Sequence, residues 1–177
     1  MKSKPNAKPL NPEPPAPPPE MTLRQMVEAC WACKGLMARI AEILAHTDKA
    51  IASMGASCMG GGCCCKFDLA GHRLYVSTAE LALLCQSPPP DLGRCQVNRC
   101  PYQKNSRCLA RSRRPLGCRT FFCKSEQNHG FSELYEYSHL LVRQAHKLFS
   151  AVPYRYMEMV SSIETLYSGE VTRLNKI

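Results

Sequence analysis

Residues 58–65 read CMGGGCCC, three consecutive cysteines behind three consecutive glycines. Adjacent cysteines rarely bridge to each other, because disulfide geometry does not suit neighbouring residues. Three free thiols in a row are an oxidation hazard with no gain in packing, so the run points to a bound group that holds the sulfurs. Further along come Cys95, Cys100, Cys108, Cys118 and Cys123, with spacers of four, seven, nine and four residues. Short loops closed by paired thiols are what tetrahedral zinc or an iron–sulfur cluster requires, since each metal draws about four ligands from separate turns. Gly60 to Gly62 accept positive φ, which lets backbone amides wrap a thiolate or sulfide. The pattern is not that of a zinc ribbon, because no C-x2-C knuckle occurs within the cluster.

The charge distribution agrees with a thiolate centre. The net charge is +9. From residue 92 to 124 there are nine basic residues and no acidic one, so the rest of the chain is neutral overall. Four thiolates around a divalent metal leave about two negative charges, which nearby arginines offset. The basic excess therefore does not by itself demand a polyanionic partner. The opening MKSKPNAKPLNPEPPAPPPE has no apolar run and does not read as a secretory signal. No segment approaches the roughly 18 apolar residues of a membrane span. A cytoplasmic location is expected, where stable disulfides are uncommon and clustered cysteines mean metal, redox chemistry or catalysis.

The elements that must position these thiols divide the chain into four parts. Residues 1–20 are a Pro-rich leader, expected to be disordered or polyproline-like. Residues 21–54 form a long helix. Thr22 and Gln25 make a capping box, and Met26, Cys30, Cys33, Met37, Ile40, Leu44, Thr47, Ile51 and Met54 trace one apolar stripe. Residues 55–130 hold ten of the twelve cysteines among short elements. Residues 73–77 (RLYVS) read as a strand, Ser77 and Glu80 as a second capping box opening a helix through Leu84, and CPYQKNSRC as a turn returning Cys108 toward Cys100. Residues 131–177 are helical. Phe131, Leu134, Tyr135, Leu141, Val142, Ala145, Leu148 and Phe149 make an amphipathic stripe, Pro153 suits the first position of a last helix and Gly169 its end. The fold expected is mainly α with small irregular β, its cysteine-rich, metal-centred middle clasped by N- and C-terminal helices.

CMGGGCCCKF, GHRLYVSTAEL and CQVNRCPYQKNSRCLARSRRPLGCRTFFC together resemble the YkgJ-type cysteine-cluster family, described as a zinc- or iron-chelating domain. The resemblance covers about residues 56–124 and is most specific at RPLGCRTFFC, residues 114–123. It implies Cys58, Cys64, Cys65, Cys95, Cys100, Cys108, Cys118 and Cys123 as metal ligands, for zinc or iron including an iron–sulfur cluster. The family often shows C-x2-C-x2-CC where this chain has C-x4-CCC, so Cys63, Cys64 and Cys65 all stand as candidates. The resemblance implies a metal and not a reaction. A related cysteine pattern in flagellin lysine methylases keeps an enzyme reading open.

Other signals carry less. Cys30-x2-Cys33 falls on the apolar stripe and Cys85 closes the apolar run LALLC, so these three are expected to pack in the core. Glu136 and His139 share a helix face with His146, but a di-metal bundle needs a second such motif and none is present. The alternatives are an iron–sulfur enzyme or electron carrier, and a zinc-stabilised nucleic-acid binder using Arg111, Arg113 and Arg114 with Phe121 and Phe122.

Overall fold

The computed structural model describes residues 21–56, 62–67, 71–90, 99–121 and 130–174. The leader, and with it Cys58, Cys95, Cys123 and Phe122, lies outside the described residues, as does the side chain of Cys63. The protein is mainly helical with a few short antiparallel strands.

Helix α1, Leu23–Ala32, starts where the sequence places it. The Thr22 hydroxyl accepts from the Gln25 amide at 3.3 Å, and the Gln25 side chain accepts from the Thr22 amide at 2.9 Å. Helix α2, Lys34–Ser53, follows after a break at Cys33, whose ψ of 77° leaves the helical region. The single long helix expected over residues 21–54 is therefore two. The break lets α1 pack on the helix at Thr78–Leu84 and α2 on the helix at Gly130–Leu148. At Gly35 a Cβ would stand 2.7 Å from the Phe149 ring, so a larger residue there would push that ring aside. The apolar stripe keeps its phase across the break, which hides it from a periodicity reading.

Strand β1, Tyr75–Ser77, runs into helix α3, Thr78–Leu84, through the second capping box. The hairpin β2, Gln103–Lys104, and β3, Arg107–Cys108, pairs Gln103 with Cys108 and Lys104 with Arg107. The short helix α4, Leu116–Thr120, and the long α5, Gly130–Leu148, come next. Strand β4, Tyr156–Glu158, pairs antiparallel with β1, Val76 facing Met157, and helix α6, Met159–Leu174, ends the described chain.

The chain end departs from expectation. Pro153 does not open the last helix; β4 intervenes, drawn into a ladder by β1 some eighty residues earlier. The helix starts at Met159, with the Glu158 carboxylate accepting from the amides of Val160 at 3.2 Å and Ser161 at 2.7 Å. Gly169 lies within α6 and does not end it, a cost of about 1 kcal/mol that a packed helix tolerates. Leu148, expected on the apolar stripe, is 78% exposed because α5 ends there and Phe149 turns in over Gly35 instead.

One core joins all parts of the fold. Leu36, Ile40 and Leu44 of α2 meet Leu81 of α3, Val142 of α5 and Ile163 of α6, all almost fully buried. Each such side chain contributes about 1.5–3 kcal/mol. No helix among the described residues is long and apolar enough to cross a membrane.

Cys30 and Cys85 are buried in this core. Burial, then the charge of Cys33, pushes the Cys30 thiol up to about 12. A thiol raised in the folded state contributes its full stability below its unfolded value near 9 and loses it as pH climbs through 12. Between pH 8 and 11 the wild type should therefore lose about 3 kcal/mol more than Cys30→Ala does. Urea unfolding of both proteins at the two pH values checks this, and equal losses would refute it.

Candidate metal centre

Three segments bring the thiols together, each fixed by local chemistry. The first is the turn at Gly62. Its φ is 65°, and a Cβ there would sit 2.7 Å from the Ser106 carbonyl oxygen. Only glycine satisfies both conditions. Behind it Cys63–Cys65 winds one 3-10 turn, with the Cys65 amide donating to the Gly62 carbonyl at 3.2 Å.

The second segment is the hairpin. Asn105 and Ser106 both have positive φ, 50° and 60°, the left-handed pair that a two-residue hairpin turn needs. Gln103 ties the hairpin to the first segment, its side-chain amide donating to the Gly62 carbonyl at 2.7 Å. Lys66 and Arg99 form an antiparallel bridge, and the Cys100 amide donates to the Cys65 carbonyl at 2.9 Å. Buried Tyr102 anchors the hairpin to the end of α3 by donating to the Ser87 carbonyl at 2.8 Å.

The third segment carries Cys118 on α4. Two long-range anchors hold it. Glu80 of the capping box is buried, and its second carboxyl oxygen accepts from the Leu116 amide at 2.9 Å. Arg119, 4% exposed, donates to the carbonyls of Arg114 at 2.7 Å and Ser112 at 2.9 Å and to the Asp48 carboxylate of α2. The guanidinium staples the turn before Cys118 to α2.

Five of the expected ligands, or their neighbours in the run, can be placed: Cys64, Cys65, Cys100, Cys108 and Cys118. The Cys64 and Cys65 sulfurs are 4.0 Å apart, and Cys100 is the first side chain acting on the Cys65 thiol. Cys118 lies within the electrostatic reach of Cys65, Cys108 and Cys64. The crowding resists ionisation. The hydrogen bond from Cys100, ahead of burial and the neighbouring charges, pushes Cys65 up to about 12. Cys64 is raised first by its contact with Cys65, and Cys118 first by burial. Against this, a backbone hydrogen bond and then the charge of Arg114 lower Cys64, Cys64 lowers Cys65, and Arg114 lowers Cys118.

The donor chemistry of these groups fits a soft metal: thiolates, no neighbouring carboxylate among the causes acting on them, and one adjacent cation. The buried Arg114 Nε has no hydrogen-bond partner among the described residues, which suits a guanidinium placed against negative charge. Among the described residues, however, no three His, Cys, Asp or Glu side chains already stand around one ion position. Cys58, Cys95 and Cys123 fall outside those residues.

The other candidates separate from this centre. Cys33 sits at the α1–α2 break beside Cys30, and Cys85 lies at the end of α3. His139 meets the Tyr154 hydroxyl at 2.9 Å, while buried His146 packs edge-on against the Tyr154 ring and is lowered by burial. Phe121 stacks on His72 at 4.1 Å, and Arg113 donates to the Leu84 carbonyl at 3.4 Å, so the nucleic-acid surface imagined for them is partly spent inside the fold. Sequence reasoning missed Glu80 as an anchor and Asp48 as a partner. The capping box pointed to one Glu80 oxygen, and nothing local marks the other.

Arg114 and Arg119 should separate by experiment. Arg119→Gln is expected to cost about 3 kcal/mol of stability, since it strips a buried cation from two carbonyls and a carboxylate. Arg114→Gln should cost under about 1 kcal/mol but raise the pH needed to load metal, because it removes the charge that favours the thiolates. Thermal unfolding and metal titrations against pH read the two effects, and equal behaviour would refute the division.

Compared with known proteins, the chain matches no family model, no curated protein and no solved structure.

Proposed function

We propose that the chain is a metal-binding protein of the YkgJ type that holds zinc or iron through clustered thiolates. One observation carries the reading: the Lys66–Arg99 bridge sets Cys65 against Cys100, with Cys64, Cys108 and Cys118 within electrostatic reach from three separate segments. Cys64, Cys65 and Cys118 resist ionisation beside their neighbours and are stabilised together when a shared cation takes the place of their protons. When bound, the metal supplies a cross-link among these three segments. Cys64, Cys65, Cys100, Cys108 and Cys118 would hold it, joined on the family resemblance by Cys58, Cys95 and Cys123. Arg114 offsets the thiolate charge, while Glu80 and Arg119 hold the Cys118 turn in place. The reading puts the protein in a reducing, cytoplasmic compartment, where the thiols stay available.

Anaerobic purification followed by metal analysis and a visible spectrum tests it. Zinc gives stoichiometric metal without colour, and an iron–sulfur cluster absorbs in the visible. A chain that takes up neither zinc nor iron with sulfide in stoichiometric amount would refute the proposal.

A further inference from the structure

The Lys66–Arg99 bridge is antiparallel, so Cys65 and Cys100, the residues beside it, stand opposite each other. The Cys100 amide donates to the Cys65 carbonyl at 2.9 Å. The Cys65 amide turns back to the Gly62 carbonyl, so one backbone bond, and not a full ladder pair, holds the two residues side by side. A disulfide spans roughly 4.4–6.8 Å between Cα atoms. The Cys100 side chain is also the first influence on the Cys65 thiol, which puts the two side chains near each other. Among the described residues no other pair combines these features. Cys64 and Cys65 bring their sulfurs to 4.0 Å but are consecutive residues, which a disulfide fits poorly. Exposure assigns the order of reaction: Cys65 is half-buried and Cys100 is 8% exposed. A small oxidant meets Cys65 first, with Cys100 behind it as the resolving thiol.

We infer that Cys65 and Cys100 are a redox-active pair that closes a cross-strand disulfide by exchange with a small-molecule disulfide, and that closure prevents metal loading. The second half rests on the metal-binding reading; the first does not. In the exchange, the small fraction of Cys65 present as thiolate attacks one sulfur of the small disulfide, giving a mixed disulfide and one released thiol; because that fraction is small, closure is slow and is read at equilibrium. Cys100 then attacks the Cys65 sulfur, closing the protein S–S bond and releasing the second thiol. The pair loses two electrons, the small disulfide gains them, and both protons leave with the released thiols. Two sulfurs of the metal set are thereby withdrawn.

The full-length, metal-free chain is equilibrated with mixtures of reduced and oxidised glutathione, its free thiols are capped, and its disulfide-linked peptides are mapped. Equilibration removes any dependence on how fast each thiol reacts. One dominant link is expected, from Cys65 to Cys100, present in the wild type and in Cys64→Ser and lost in Cys65→Ser and Cys100→Ser. A dominant link from Cys65 to Cys108 or Cys118, or glutathione mixed disulfides alone, overturns the pairing. Uptake of zinc and of ferrous iron is then measured on both forms by competition with a chromophoric chelator. The oxidised chain is expected to take up at least tenfold less than the reduced chain. Equal uptake by the two forms overturns the gating. No uptake by the reduced chain, with the Cys65–Cys100 link formed, overturns the metal reading and leaves the pair standing.

Discussion

Glu80→Ala is expected to destabilise the protein by about 3–5 kcal/mol, because three buried donors lose their acceptor at about 1–3 kcal/mol each. The side chain is 2% exposed. One carboxyl oxygen accepts from the Ser77 amide at 2.9 Å and the Ser77 hydroxyl at 2.7 Å, and the other from the Leu116 amide at 2.9 Å. Alanine leaves these donors buried and unpaired. For a chain of this size the loss is a fall of about 10 °C in Tm. Glu80→Gln keeps an acceptor and should cost roughly half as much. Because the Leu116 amide opens the helix that carries Cys118, metal retention should fall with stability in Glu80→Ala. Denaturant unfolding and metal analysis of the purified variant read both, and a loss below about 1 kcal/mol would contradict the anchoring role.

The second large effect separates the thiols. Cys118→Ser should remove most of the bound metal, because a serine hydroxyl is a poor ligand for a soft metal. Cys118 sits among Cys64, Cys65 and Cys108 beside Arg114. Cys30→Ser should leave the metal count unchanged and cost only stability, about 1–3 kcal/mol, from a hydroxyl placed in an apolar core. Cys30 is fully buried in the core cluster, with only Cys33 as a thiol neighbour among the causes that shift it. Metal content per folded chain distinguishes the two variants. If Cys30→Ser loses metal as fully as Cys118→Ser does, the centre has been put in the wrong place.

Much of the helical framework was legible in the sequence because its signals are local. Thr22 with Gln25, and Ser77 with Glu80, announce helix starts within four residues, and both capping boxes form. The stripe through Met26, Ile40, Leu44 and Ile51 reports a buried face, because helical periodicity depends only on spacing. Cys30 and Cys85 went to the core for the same reason. The CPYQKNSRC turn was readable as well, since Asn105 and Ser106 are residues that tolerate or favour tight turns.

What only the tertiary structure decided depends on partners far apart in sequence. The break at Cys33 follows from α1 and α2 packing against different helices, with Gly35 under Phe149. Strand β4 exists because β1 offers it an edge, so a segment opening with Pro153 became a strand before it became a helix. The two arginines around Cys118 looked alike in the sequence. Their roles parted because Asp48 of α2 met Arg119, while Arg114 was left beside the Cys64 and Cys118 thiols. The cysteine spacing alone determined that sulfurs would be plentiful and closely strung. Which of them face one another was decided by the Lys66–Arg99 bridge and the second oxygen of Glu80, because hydrogen bonds between distant segments carry no periodic signature along the chain.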